Sequence, residues 1–304
     1  MNSSLTLAAP AKVNLFLHVV GRRQDGYHLL QSVFELIDWS DEVCLQSRPD
    51  PEIARSGDLV GPAEQDLAVR AARALQATPA WRVRGCPGAS INIRKAIPSG
   101  AGLGGGSSDA ASTLIGLNRL WGLNLPPSQL AQIGLRLGAD VPFFLGGGPA
   151  FVEGIGEKLT PISSQARWLV IAVPKTPVAT GLVFGSAELT RDTKPLKIAG
   201  FAEAAASPVW VFGHNDLEPI TRVKFPEVDL LLRQMRRLAE TEGIAPVAVR
   251  MSGSGGAVFC SAPDFQTAER LHQSMQAFQK SDQGQCLAHL RLCKTLMSHP
   301  AQLR

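Results

Sequence analysis

The sequence predicts an α+β protein of two domains. Strand-like and helix-like segments are mixed along the 304 residues without the regular β-α-β alternation of a parallel sheet. A break near residues 160–166, in "TPISSQAR", separates two halves that each carry strands and helices, taken as domains 1–162 and 163–304. Hydrophobic residues at 45% against 18% charged are enough for packed cores and argue against disorder.

In chain order, "KVNLFLHVVG" alternates as a strand, and "LLQSVFELIDWSDEVCLQSR" reads as two β-prone stretches broken at Asp38–Asp41. Residues 48–65 read as a variable loop. "DLAVRAARALQAT" is helical, with Leu67, Ala71, Ala74 and Leu75 on one face. "ASINIRKAIP" alternates Ile91 and Ile93 with polar residues and stops at Pro98. "SDAASTLIGLNRLWG" is a helix ending at Gly122, and "PPSQLAQIGLRLGAD" another with Pro127 in its first turn. "GADVPFFLGGGPAFVEGIGEKLTPI" returns to loop and strand. The second half runs as strand "WLVIAVP", a helix near "TGLVFGSAEL", a polar alanine-rich stretch over 190–208, and helix "PEVDLLLRQMRRLAETEG". Two strands around the glycines of "VAVRMSGSGGAVFCSA", helix "DFQTAERLHQSMQAFQK" and strand "CLAHLRLCKTL" follow.

Composition narrows the function. The net charge is +4, from 30 basic and 26 acidic residues, with no basic stripe. That disfavours nucleic acid and suits a small anionic ligand. Cys44, Cys86, Cys260, Cys286 and Cys293 form no Cys-x-x-Cys pair and have no His partner at metal-ligand spacing, so reduced thiols are expected. No apolar run approaches the ~20 residues of a membrane span. With no basic leader ahead of the apolar start, the expectation is a cytoplasmic protein with no membrane partner.

Chemistry concentrates in "PSGAGLGGGSS", residues 98–108, which holds five glycines and three serines ahead of an apolar helix. Gly100, Gly102 and Gly105 match G-x-G-x-x-G, but the next element is another helix and position 125 is Leu, so a dinucleotide fold is not indicated. No Lys-Ser/Thr follows the last glycine, so a Walker A loop is not either. What remains is a bare backbone at a helix N-terminus, where amides and dipole hold phosphate. Ser107 and Ser108 can donate to phosphate oxygens or reach a cation, and Asp109 is expected first as a helix cap. "RMSGSGGAVFC" places Gly253, Gly255 and Gly256 where backbone could pack on the first loop.

Three segments in this order, "PAKVNLFLHVVG", "PSGAGLGGGSSDAA" and "MSGSGGAVF", resemble the GHMP kinases over nearly the whole chain. "DGYHLL", the Gly-Leu-Gly-Gly-Gly-Ser-Ser loop and "LGADVPFF" resemble the branch whose substrate is a cytidine diphosphate-linked methylerythritol, and argue against mevalonate or homoserine as acceptor. The resemblance implies a domain like ribosomal protein S5 domain 2, then a ferredoxin-like domain, with the site in the cleft between. It implies ATP with Mg²⁺, no identified protein ligand for the metal, and a monomer or weak dimer. It makes Asp140 the catalytic base and Lys12 its cationic partner; losing either would have marked a silent ligand sensor. The loop Pro98, Ser99, Gly100, Ala101, Gly102, Leu103, Gly104, Gly105, Gly106, Ser107 and Ser108 becomes the triphosphate cradle. Tyr27 and His28 would read cytosine, Phe184 would wall it, and Asn14 would orient substrate hydroxyls. Asp66 stands where the family commonly has Asn, and as an acceptor only it would alter adenine recognition or simply cap its helix.

Overall fold

A computed structural model describes residues 3–302. Its spine is a long antiparallel hairpin, β1 (Ser4–Arg22) against β2 (His28–Arg48), running from Ser4↔Gln46 to Arg22↔His28. The expected break at Asp38–Asp41 is absent. The irregularity lies instead in the pairing, with a register shift between Pro10 and Ala11 opposite Ser40 and Ile37. Asp41 stays in the strand because its buried carboxylate accepts the N–H groups of Ala96 and Ile97 at 2.6 and 2.8 Å. A strand tolerates a buried acid only when it is paired in this way.

The other edge of β2 is shared. β5 (Ala150–Gly154) pairs with residues 30–34, β10 (Leu287–Leu296) touches Leu36 and Ile37, and β4 (Gly88–Arg94) pairs with 42–48. β3 (Ile53–Gly57), in the segment expected as loop, runs parallel to β4, and β6 (Lys158–Pro161) pairs with β5. Helices α1 (Leu67–Gln76), α2 (Pro79–Val83), α3 (Gly105–Leu120), α4 (Pro127–Leu137) and α5 (Val141–Gly146) belong to this half. The buried side of α1 is Ala68, Val69, Ala71, Ala72 and Leu75, with Leu67 and Ala74 at its margin. α5 replaces an expected loop because Val141, Phe143 and Phe144 are buried in the core beside α3 and α4.

The second half has β7 (Trp168–Pro174), β8 (Val249–Met251) and β9 (Val258–Ala262), which with β10 give the strand order β10-β7-β9-β8, all antiparallel. The helix expected near "TGLVFGSAEL" is only α6 (Thr180–Phe184), and the alanine-rich stretch contains α7 (Ala202–Ala206). α8 (Glu218–Lys224) and α9 (Pro226–Thr241) connect β7 to β8, and α10 (Phe265–Gln279) connects β9 to β10. This is the β-α-β-β-α-β arrangement of a ferredoxin-like plait. β10 joins it to β2, and one apolar cluster contains Val13 and Val33 from the hairpin with Leu169 and Phe259 from the plait.

Candidate active site

α3 opens inside the glycine run. Gly104, at φ 74°, turns the chain into the helix, and the amides of Gly105, Gly106 and Ser107 have no carbonyl one turn back. Ser108 is the first to bond back, to Gly104 O at 3.0 Å. Residues 98–107 line a cleft of about 340 Å³ shared with Arg55, Asp66, Lys95 and Asp109. Ser108 does not face it: the residue is fully buried and its Oγ lacks a hydrogen-bond partner. Asp109 is not the expected cap; Gly104 holds that position.

The loop is braced from both halves of the molecule. Lys12 N–H donates to Leu103 O at 2.9 Å, and Ala257 N–H donates to Ala101 O at 3.1 Å. The third glycine segment lies directly against the loop backbone, so that a β-carbon on Gly255 would sit 2.1 Å from Gly102 N. Backbone packs on backbone here, as the glycine pattern allowed.

Lys12 and Asn14 project from β1 on the same side. Lys12 Nζ donates to Asn14 Oδ1, lies 3.7 Å from Asp140 Oδ2 and sits 4.7 Å over the Phe34 ring. Burial lowers the pKa of Lys12 below the ordinary lysine value, and the Asp140 carboxylate opposes that shift. Asp140 stands at the start of α5, yet its side chain caps no amide and is 31% exposed, so its oxygens are open to a reactant. Asn14 is buried, with Nδ2 donating to Ser32 Oγ at 3.1 Å and its own N–H to Ser252 Oγ at 3.1 Å. Its visible work is to hold Lys12.

Tyr27 and His28, adjacent in sequence, meet the distant Phe184 in a second pocket of about 480 Å³. Tyr27 is 61% exposed, and the His28 and Phe184 rings are 5.1 Å apart. Two contacts connect this pocket to Asp140 and the glycine turn. Its Ile155 precedes Gly156, which packs on Ala139, and its Thr180 hydroxyl is 2.9 Å from that of Ser254.

Asp66 caps α1 by accepting Ala68 N–H at 2.8 Å and pairs with Arg55 Nε at 2.8 Å. Sequence reasoning missed Lys95. Its ammonium joins Asp41 to Asp109, 2.6 Å from the latter, at the wall of the glycine-loop cleft. Burial pushes the Asp109 carboxyl up to about 7, against the pull of Lys95 and with the help of Asp41. A lysine at a strand end immediately before the glycine loop was the available signal.

The GHMP kinases N terminal domain model matches residues 66–148, and the GHMP kinases C terminal model matches 200–281. The 4-diphosphocytidyl-2-C-methyl-D-erythritol kinase of Cupriavidus metallidurans is 48% identical over 96% of this chain and 93% of its own length. That of Ralstonia pickettii is 49% identical over 93% of this chain and 92% of its own length. A crystal structure of 4-(cytidine 5'-diphospho)-2C-methyl-D-erythritol kinase superposes with a TM-score of 0.77 at 33% identity, covering 96% of this chain and 99% of that one. Homoserine kinase from Cytophaga hutchinsonii, at 18% identity and a TM-score of 0.72 over 99% of this chain and 97% of that one, shares the fold alone. Near-complete coverage at this identity leaves one assignment: the chain is a two-domain GHMP kinase and belongs to the 4-diphosphocytidyl-2-C-methyl-D-erythritol kinase family.

Proposed function

We propose that the chain transfers the γ-phosphoryl group of ATP to the 2-hydroxyl of 4-diphosphocytidyl-2-C-methyl-D-erythritol, a step of non-mevalonate isoprenoid synthesis. The observation that carries the mechanism is the Lys12–Asp140 pair, 3.7 Å apart beside a loop whose helix begins with unbonded amides. Asp140 takes the proton of the acceptor hydroxyl at Oδ1 or Oδ2. A weak base suffices because a loose phosphoryl-transfer transition state needs little early proton removal. Lys12, held by Asn14, offsets the charge developing on the transferred oxygens.

The site fits ATP on a structural ground: Gly106 lines the cleft with a bare backbone, where a β-carbon would meet only Leu67 Cδ1 at 3.8 Å. At Gly102 and Gly104 a β-carbon would run into Ser252 O and the Phe144 ring, so the loop keeps its close-packed course only with glycine. The amides of Gly105, Gly106 and Ser107 would hold the phosphates, and bound ATP supplies the phosphoryl donor. Mg²⁺ is proposed to enter with the nucleotide. Among the described residues no three His, Cys, Asp or Glu side chains converge as a metal cage, and magnesium is commonly held through substrate phosphates with few carboxylates. Tyr27, His28 and Phe184 form the cytosine pocket, while Asn14 acts on the acceptor side through Lys12.

Residues 1–162 and 163–304 are kept as the two domains, with the site where the hairpin and glycine loop meet the plait. A monomer or weak dimer is proposed for the assembly. Five free cysteines support a reducing, cytoplasmic setting.

The test is ADP release with Mg·ATP across diphosphocytidyl-methylerythritol, mevalonate, homoserine, galactose and a blank without acceptor. Turnover confined to the cytidyl substrate is expected. Turnover with another acceptor would keep the phosphate loop and discard the cytosine pocket.

A further inference from the structure

The side chain of Arg191 ties together the two walls of the Tyr27 pocket. Its Nε donates to His28 Nε2 at 3.1 Å. Its Nη2 donates to the carbonyls of Phe184 and Ser186 at 3.2 and 2.6 Å, and its Nη1 to Leu189 O at 3.0 Å. A guanidinium has donors only, so the histidine nitrogen facing it must offer a lone pair. The ring proton is then on Nδ1, which donates no hydrogen bond to the protein among the described residues.

We propose that Arg191 is a positioning residue that fixes His28 as the neutral Nδ1–H tautomer, and that this tautomer selects cytosine over uracil. The proposal rests on the reading of Tyr27, His28 and Phe184 as the base pocket. Cytosine presents its ring nitrogen N3 as an acceptor, whereas uracil carries a proton there. A donor on His28 therefore matches the first base and meets a second donor on the other. The opposite tautomer, with a lone pair on Nδ1, would reverse the preference. Reading a base by its polar edge between aromatic walls needs one tautomer, and this geometry provides it.

The surrounding charges keep the ring neutral. Arg22 is the cross-strand partner of His28 in β1, and Arg191 approaches from the segment after α6. Arg23 and Asp25, in the turn between β1 and β2, pair with each other at 2.7 Å. Burial first, then Arg191 and Arg22, lowers the pKa of His28 from the ordinary histidine value. Protonation would also set an N–H on Nε2 against the Arg191 N–H.

The test uses the full chain. Long-range ¹H–¹⁵N spectra of ¹⁵N-histidine protein at neutral pH, with His28 assigned by its loss in His28→Ala, should show Nδ1 protonated and Nε2 bare. The KM for the cytidyl substrate and for its uridine analogue is then measured in the native protein, Arg191→Met, Arg191→Lys and His28→Ala. Arg191→Met should reduce the cytosine preference about tenfold, the scale of one exchanged hydrogen bond. It should also bring an inflection in cytidyl KM near the ordinary histidine value of ~6.5. Arg191→Lys, which keeps a donor, should recover part of the preference.

An Nε2–H tautomer in the native protein overturns the proposal, even if Arg191→Met fails to fold. So does an unchanged preference in folded Arg191→Met while His28→Ala abolishes it, in which case the base pocket stands. If His28→Ala leaves cytidyl KM unchanged, the base pocket itself fails and the proposal with it.

Discussion

Gly102 and Gly255 come from different halves of the chain and meet backbone to backbone; a β-carbon on Gly255 would lie 2.1 Å from Gly102 N and from Ala101 C. Neither of those atoms can swing away as a flexible side chain would. Gly255→Ala must therefore push the phosphate loop off the β8–β9 turn. We expect a stability loss of about 1–3 kcal/mol, the usual range for overpacking, and a rise in KM for ATP larger than that for the acceptor. Thermal unfolding with two-substrate kinetics checks both parts; native ATP affinity in this variant would mean that the contact does not set the loop.

Tyr27 is 61% exposed and makes no side-chain hydrogen bond among the described residues, so its ring contributes little to folding. Stacking of a base on an aromatic ring contributes about 1–3 kcal/mol. Tyr27→Ala should raise KM for the cytidyl substrate by roughly tenfold or more on that scale. The unfolding midpoint and KM for ATP should stay close to native. Equal losses for both ligands would show that Tyr27 supports the fold instead.

The Asp41–Lys95–Asp109 cluster is expected to make ATP binding depend on pH. Below about 7 the Asp109 carboxyl keeps its proton, and Asp41 and Lys95 balance each other. As pH rises through about 7 the proton leaves, and a negative charge appears at the wall of the cleft proposed for the triphosphate. KM for ATP should therefore increase from pH 6 to 8, and Asp109→Asn should flatten the profile. A native profile already flat over this range, or one of opposite slope, would contradict the assignment.

Arg167 is fully buried. It binds Glu35 and Ser164, donates to Ala204 O and Ala205 O at 3.0 and 2.8 Å, and lies 5.3 Å from the Trp210 ring. Arg167→Met would leave Glu35 buried in the core without its cationic partner, with only the Ser164 hydroxyl bonded to it. A loss of about 3–5 kcal/mol is expected by chemical denaturation, with most of it recovered when Glu35→Gln is added. No recovery in the double variant would mean that the backbone contacts to Ala204 and Ala205, rather than the ion pair, carry the effect.

These features differ in how far the chain itself announces them. The glycine loop at the mouth of α3 was legible because its requirement is local: consecutive glycines before an apolar helix can be read without knowing what packs on them. Lys12 and Asp140 were placed by their motif segments, and the structure brings them together. The sequence points to a break at Asp41 because an acid in an apolar run usually interrupts it; the amides of Ala96 and Ile97 and the ammonium of Lys95, which keep it in β2, are far along the chain. α5 was hidden for a similar reason, since "VPFFLGGG" has weak helical periodicity and its aromatic burial is decided by α3 and α4. The contact of Arg191 with His28 has no sequence pattern at all. It depends on how the segment after α6 folds back over the end of β2.

Asp140 is proposed to remove the acceptor proton while the glycine loop holds the nucleotide. The measurement that addresses it most directly is single-turnover phosphoryl transfer by Asp140→Asn at saturating Mg·ATP and acceptor, with ATP affinity measured on the same sample. A rate lower by about 10²–10⁴-fold, the contribution of a positioned base, is expected, with ATP affinity close to native. Near-native transfer in a variant that binds ATP would contradict it and assign the proton to another group.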